Sequence, residues 1–337
     1  MRVDRINEHK TVEGISELEC TAFNASVNCI IILSDHRLCA CSSDGSIKIF
    51  DIRNGNDFIL RADEQLAHSD EIRCIEEIEQ NILASGGKED IKIWRIIFYQ
   101  LINIAKINNA HKNYINKIIK LGKGEFASCS EDGEIKLWSK TYKEKKSFTA
   151  HYGSKIDNIY YFIDDQNNNR KTLVSISSEE KKVKFWRLNY FLLIKSFRRN
   201  KLINQNNNIV KIDNLILIGE QSQISIFQIL EDNIKLYEYK DDGLGNVFAL
   251  NTFSNYGNNL LLAGSDIGFI FIFEISGDGK KVSLQNINII RNNQKALKGR
   301  TNYAISCLTT YSNYIIVSSI DKLIKMYTYD FEYISFN

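Results

Sequence analysis

Apolar and polar positions alternate with a period of two through most of the chain, in short runs separated by polar turns. That is the pattern of strands buried on one face, not of amphipathic helices. One segment recurs seven times: an apolar strand, a polar turn, then alternating apolar residues that end on an aromatic. The copies read LCACSSDGSIKIF, ILASGGKEDIKIW, EFASCSEDGEIKLW, TLVSISSEEKKVKFW, NLILIGEQSQISIF, LLLAGSDIGFIFIF and YIIVSSIDKLIKMY. They close on Phe50, Trp94, Trp138, Trp186, Phe227, Phe273 and Tyr327, at spacings of 44, 44, 48, 41, 46 and 54 residues. A second element keeps step with the first. It is an apolar-x-x-apolar motif ending 15 to 27 residues upstream of each aromatic: Val27-Ile30, Ile72-Ile75, Ile115-Ile118, Ile156-Ile159, Ile209-Ile212, Val247-Leu250 and Ile305-Leu308.

Each unit therefore holds four short strands: one with the apolar pair, one entering the turn, one ending on the aromatic, and one running to the next unit. Four strands in a repeat of this length make a propeller blade. Seven copies predict an all-β, seven-bladed β-propeller that occupies residues 1–337 as one domain. No stretch longer than 12 residues carries helical periodicity. The stretch TAFNASVNCI near the start aligns with TAHYGSKIDNI of unit four. Residues 14–21 thus stand where the fourth strand of a preceding blade would be, with no blade before them, and are expected to complete blade seven. Closure removes the open edges that would template aggregation. The rival closing strand is 331–336.

The copies resemble WD40 repeats, whose unit carries a Gly-His pair, a turn Asp and a Trp. Here the pair becomes Ala67-His68, Ala110-His111 and Ala150-His151, and the turn Asp matches at Asp44, Asp132 and Asp321, each six residues before its aromatic. The Trp matches at Trp94, Trp138 and Trp186, and unit three alone keeps His111, Asp132 and Trp138 together. The resemblance spans roughly residues 15–330, with units five to seven degenerate. It implies that His111 bridges Asp132 and the Trp138 indole as a structural network rather than a catalytic pair. Lys88 and Glu180 at the turn position of units two and four imply rewired or partial networks around His68 and His151.

The resemblance further implies that partners dock on the narrower face, at the residue just inside each first apolar position. Those residues are Asn28, Arg73, Asn116, Asp157, Val210, Phe248 and Ser306. Polar and charged groups from blades one to four, beside Val210 and Phe248 from blades five and six, suit a peptide with one apolar anchor and hydrogen-bonding flanks. The alternative for Val210 and Phe248 is inward packing.

Charge and candidate chemistry narrow the function classes. Basic residues number 43 and acidic ones 41, a formal net charge of +2, so no whole-molecule field favours nucleic acid or an anionic membrane. Local basic clusters in units three to five, Lys143, Lys145 and Lys146, Lys181 and Lys182, and Arg198 and Arg199, offer a rim for RNA or DNA as the alternative function. No aromatics interleave with them as stacking platforms. Charges in the first ten residues and the lack of a long apolar run predict an intracellular, cytoplasmic protein, a nuclear one being compatible. The seven cysteines read as reduced core thiols. Cys29, Cys74 and Cys307 hold one station in units that neighbour each other round the ring, further apart than one coordination shell, so no metal is expected. Nucleotide-binding and hydrolase motifs do not occur in the sequence. The expectation is a non-enzymatic scaffold or adaptor without cofactor, a subunit of a larger assembly whose partners are proteins. Polar insertions at 164–171 and 292–301 and a polar tract at 204–208 read as loops.

Overall fold

The computed structural model describes residues 17–21, 23–54, 57–164, 170–203, 208–230, 233–255, 258–277, 282–291 and 304–328. Seven four-stranded antiparallel sheets follow one another round a ring. Blade one comprises Val27–Ile32, Leu38–Ser42, Ile47–Asp51 and Ile59–Glu64; blade two Cys74–Glu79, Ile82–Gly86, Ile91–Ile97 and Gln100–Ile107. Blade three comprises Ile115–Gly122, Glu125–Ser130, Glu134–Trp138 and Glu144–Thr149; blade four Asn158–Asp164, Arg170–Ser177, Lys182–Arg187 and Leu192–Arg198. Blade five comprises Ile209–Ile212, Leu215–Glu220, Gln223–Ile229 and Ile234–Lys240; blade six Val247–Asn255, Asn258–Ser265, Phe269–Gly277 and Val282–Arg291. Blade seven takes Ile305–Tyr311, Tyr314–Ser319 and Leu323–Thr328 from the end of the chain and Glu17–Thr21 from its start.

The ring therefore closes through the N-terminal strand, with Glu17 opposite Tyr327 and Thr21 opposite Leu323. The rival segment 331–336 lies outside the described residues, as do most of the loops expected at 164–171, 204–208 and 292–301. Among the described residues the one helical element is a single 3-10 turn, Asp242–Leu244.

Burial falls from the axis outward. Second strands such as Leu38–Ser42 and Ile82–Gly86 are buried at every position, whereas the fourth strand of blade two is mostly exposed. The seven terminal aromatics are all buried. Because consecutive strands are antiparallel, the turns from second to third strand and the loops leading into the next first strand share one end of the ring, the entry face. The turns from first to second and third to fourth strand share the exit face. Glycine is required where an entry-face turn meets the following loop. Gly45 and Gly133 adopt φ of +79° and +82°, and a Cβ on either would stand 2.5 Å from the backbone oxygen of His68 or His151.

Candidate functional site

The histidine networks contain a residue that sequence reasoning missed. The Trp138 indole N–H donates to Ser128 Oγ at 2.8 Å, Ser128 lies 2.7 Å from His111 Nε2, and His111 Nδ1 lies 2.9 Å from Asp132 Oδ2. The expected direct bridge from His111 to the indole is thus corrected: a serine hydroxyl stands between them, accepting from the indole and hydrogen-bonding the imidazole. Blade four repeats it in full, through Trp186, Ser175 and His151, with Glu180 Oε2 2.5 Å from His151 Nδ1 in place of the aspartate. Blade two has Trp94, Ser85 and His68 without the acid. There the backbone at Gly87 fills the space, since a Cβ on it would meet His68 Nδ1 at 2.4 Å.

The register explains the serines. Leu83, Phe126 and Leu173 face Trp94, Trp138 and Trp186, and two residues further along the same strand face lie Ser85, Ser128 and Ser175. In blades that end on Phe50, Phe227, Phe273 or Tyr327 the same station holds Ala40, Ile218, Ala263 or Val317. A buried indole N–H needs an acceptor and a phenyl ring does not. Burial, aided by Lys92 and Lys184 respectively, pushes His68 and His151 down to about 4. Burial works to raise Asp132, but its hydrogen bonds from His111 and from the Lys112 and Glu134 amides hold it at about 2. The three histidines and their serines are buried within the blades they brace.

The seven ring positions begin the first strands on the entry face. Register jumps between Val27 and Cys29, Ile115 and Lys117, Val247 and Ala249, and Ile305 and Cys307 leave Asn28, Asn116, Phe248 and Ser306 as bulged residues. A bulge re-aims its side chain, and three of these four aim it at the next blade. Asn28 Nδ2 donates to Ile72 O at 2.9 Å, Asn116 Nδ2 to Ile156 O at 2.8 Å, and Ser306 Oγ to Val27 O. Arg73 reaches Asn116 Oδ1 at 2.9 Å and Glu131 at 2.7 Å, pairs with Glu71, and stacks 4.0 Å from the Tyr114 ring centre. Asp157 is buried and accepts from the Ser178 amide. Val210 is buried in the core between blades five and six, while Phe248 is half-buried.

The basic residues do not form one patch. Lys143, Lys145 and Lys146 sit at the exit-face end of blade three's outer strand, with Lys145 paired to Glu125 at 2.7 Å and Lys146 over the Phe191 ring. Lys181, Lys182 and Arg198 lie at the entry face of blade four, where Lys182 pairs with Glu180. Arg199 does not belong to a solvent rim. It is buried and grips Glu220 with two nitrogens, at 2.9 and 3.1 Å, and Glu238 with a third.

The first strands enclose a central cavity of about 500 Å³ lined by, among others, Cys29, Glu76, Lys117, Tyr160, Asn251 and Cys307. Burial pushes Glu76 up to about 7 against the pull of Lys117. No group of three or more His, Cys, Asp or Glu among the described residues is arranged to hold a metal. Cys307 Sγ approaches Ile30 O of the neighbouring blade at 3.6 Å, as Cys74 Sγ approaches Ile115 O at 3.5 Å, each thiol reaching the next blade's backbone.

A surface that the sequence pattern did not single out lies on the outer edge of blade two. Phe98 and Tyr99 form the tip of its third-to-fourth hairpin, exposed at 86% and 56%, with exposed Ile97, Ile102 and Ile104 behind them and exposed Leu60 on the next outer strand. Arg37 holds the tip by donating to Phe98 O at 3.1 Å, and the Arg61 guanidinium stands 5.1 Å from the Tyr99 ring centre. Phe98 takes a positive φ of 53°, a conformation costing an ordinary side chain about 1 kcal/mol or more. Tyr142 and Phe191 do the same in the corresponding hairpins of blades three and four, but both pack against the core. Phe98 projects into solvent.

A closed ring of seven antiparallel four-stranded blades defines the chain as a β-propeller. A family model described as "WD domain, G-beta repeat" matches residues 15–51 and 104–139. The first match takes in the closing strand and most of blade one, and the second contains His111, Ser128, Asp132 and Trp138. The two matched repeats and the closed seven-bladed ring together support the WD40-repeat family for this chain. A comparison with curated proteins found no match. Propellers of this family generally serve as protein-interaction scaffolds, and no helix among the described residues is long and apolar enough to cross a membrane.

Proposed function

We propose that this protein is a non-enzymatic scaffold, an intracellular subunit of a larger assembly, that docks protein partners on surfaces presented by the rigid ring. The observation that carries the reading is the blade-two hairpin. An aromatic held in a costly left-handed turn and 86% exposed sits among Tyr99, Ile97 and Ile102 on a fixed scaffold. Contiguous exposed apolar groups of this kind mark interaction sites, and aromatic anchors are their usual hot spots. The partner offers an apolar groove or strand edge to this hairpin.

The entry face is the second docking surface, favoured by the half-buried Phe248 on its bulge and by the Arg73–Tyr114 stack. Asn28, Asn116, Asp157 and Ser306 contribute there by stiffening the ring. Nucleic acid is the less favoured alternative, because the basic residues are divided between the two faces and several are paired.

Affinity capture of tagged variants tests the reading. Phe98→Ala with Tyr99→Ala should weaken capture by about 30-fold, the equivalent of about 2 kcal/mol. Phe248→Ala should remove partners of the entry face only. Loss of capture on charge reversal of Lys145 and Lys146, or on nuclease treatment, with the hairpin variant still binding, would replace the protein partner with nucleic acid.

A further inference from the structure

The docking surfaces leave the inside of the ring unused, and there the chain encloses charge. All seven first strands contribute to the lining of the central cavity, but they contribute different chemistry. Its charged residues come from two neighbouring blades: Glu76 and Glu77 from blade two, Lys117 and Lys120 from blade three. Blade one supplies Ile30, Ile31 and Ile32 instead, and blade five Ile209 and Val210. One sector of the wall thus carries both signs of charge, and the wall on blades one and five is aliphatic. Glu77 is already engaged, accepting from the amide and hydroxyl of Ser34 and from the Asn81 amide. The Lys120 side chain is exposed at the exit end, and its amide donates to Glu76 Oε1 at 3.4 Å. Cys29 and Cys307 turn their thiols to Ile75 O and Ile30 O. Glu76 and Lys117 remain as the opposite charges of the interior.

We propose that the central cavity binds a free amino acid with an apolar side chain. The ligand's carboxylate lies on Lys117, its ammonium on Glu76, and its side chain against the aliphatic wall of blades one and five. The site is independent of the scaffold reading, since neither the blade-two hairpin nor Arg73 or Phe248 lines this cavity.

The two charges select the class of ligand. An anion alone would meet Glu76 and a cation alone would meet Lys117, whereas a zwitterion satisfies both. Hydrogen bonds to ionised groups are the strong ones, and an enclosed site strengthens them further. Burial leaves Glu76 raised to about 7 even against the pull of Lys117, so its carboxylate gains from a further cation, which the ligand's ammonium supplies. A cavity of about 500 Å³ falls within the range of about 300–1,000 Å³ for small-molecule sites, which pair an apolar wall with a few placed polar groups. The lining reaches Ile32, Lys120 and Tyr161 at the exit ends of the first strands, which makes the exit face the way in. At the entry end Asn28, Asn116 and Ser306 tie each blade to the next.

Isothermal titration of the purified full chain with L-leucine tests the proposal against probes that each lack one part of it. Isocaproate has no ammonium, isoamylamine has no carboxylate, and glycine has no side chain. L-leucine should bind with a Kd below about 1 mM, and each of the others at least about tenfold more weakly. Glu76→Gln and Lys117→Met should each weaken leucine binding by at least about tenfold. The probe series on the unaltered chain decides the matter even if a variant fails to fold. Three results would overturn the proposal: no heat with leucine at about 10 mM, isocaproate binding as tightly as leucine, or leucine binding undiminished in both folded variants.

Discussion

Ser128→Ala removes one oxygen from the interior of blade three and strands two partners at once. Trp138 and His111 are exposed at only 3% and 2%, so water cannot replace the hydroxyl. The indole N–H loses its acceptor at 2.8 Å and His111 Nε2 its hydrogen-bond partner at 2.7 Å. An unsatisfied buried polar group costs about 1–3 kcal/mol, so the substitution should destabilise the protein by about 2–4 kcal/mol. Trp138→Phe removes the N–H itself and leaves a smaller ring. In that background Ser128→Ala strands only the histidine, and its cost should fall by about 1–2 kcal/mol, which is the coupling energy of a double-mutant cycle. Urea unfolding followed by far-UV circular dichroism reads each corner of the cycle as a shift in midpoint at constant slope. The same argument makes His111→Ala and Trp138→Phe non-additive, because both act through Ser128. Additivity of serine and tryptophan substitutions to within about 0.3 kcal/mol would refute the chain of hydrogen bonds.

Three further outcomes follow from the buried charges and from the closure. His68 and His151 have folded values depressed to about 4, below the ordinary histidine value of 6.5, so the unfolded chain binds more protons between those limits. Their contribution is complete above pH 6.5 and is lost as pH falls towards 4; the urea midpoint should therefore drop from pH 7 to pH 5, and a flat profile would contradict their buried neutral state. Arg199→Ala leaves the fully buried Glu220 without its paired cation and should cost about 3–5 kcal/mol, partly recovered by adding Glu220→Gln. A cost below about 0.5 kcal/mol would place Arg199 back on the surface. Deleting residues 1–21 exposes the edge of Leu323–Thr328 and should produce aggregation or unfolding on size exclusion; a folded, monomeric product would mean that the N-terminal strand is not the closure.

The fold was legible because its signals are periodic and redundant. Seven aromatics at a steady spacing, each preceded by an apolar pair, left no alternative to four-stranded blades. The alignment of TAFNASVNCI with unit four located the closing strand. The site was less legible, because its decisive features depend on what a side chain meets after the strands pair. The serine at stations 85, 128 and 175 was visible in the copies, always in a unit ending on Trp, but its meaning required the register that sets it beside the indole. Asn28, Asn116 and Ser306 look like docking groups in sequence, yet the bulges turn them onto the next blade's backbone. Arg199 looks like part of a basic run, but one residue past Leu192–Arg198, where its amide bonds Lys181 O, its side chain turns inward to Glu220 while Arg198 stays exposed. Phe98 carries no signal at all in an apolar strand, since only the left-handed turn of its hairpin sends it to solvent.

That this ring holds proteins together through its blade-two edge is tested most directly by amide hydrogen exchange on the purified chain with and without a captured partner. The account predicts slowed exchange along Gln100–Ile107 and in the Phe98–Tyr99 turn, with Ile59–Glu64 next to it, and no change around Lys143, Lys145 and Lys146. Unchanged exchange over the whole blade-two hairpin, with protection confined to the basic segments of blades three and four, would contradict it.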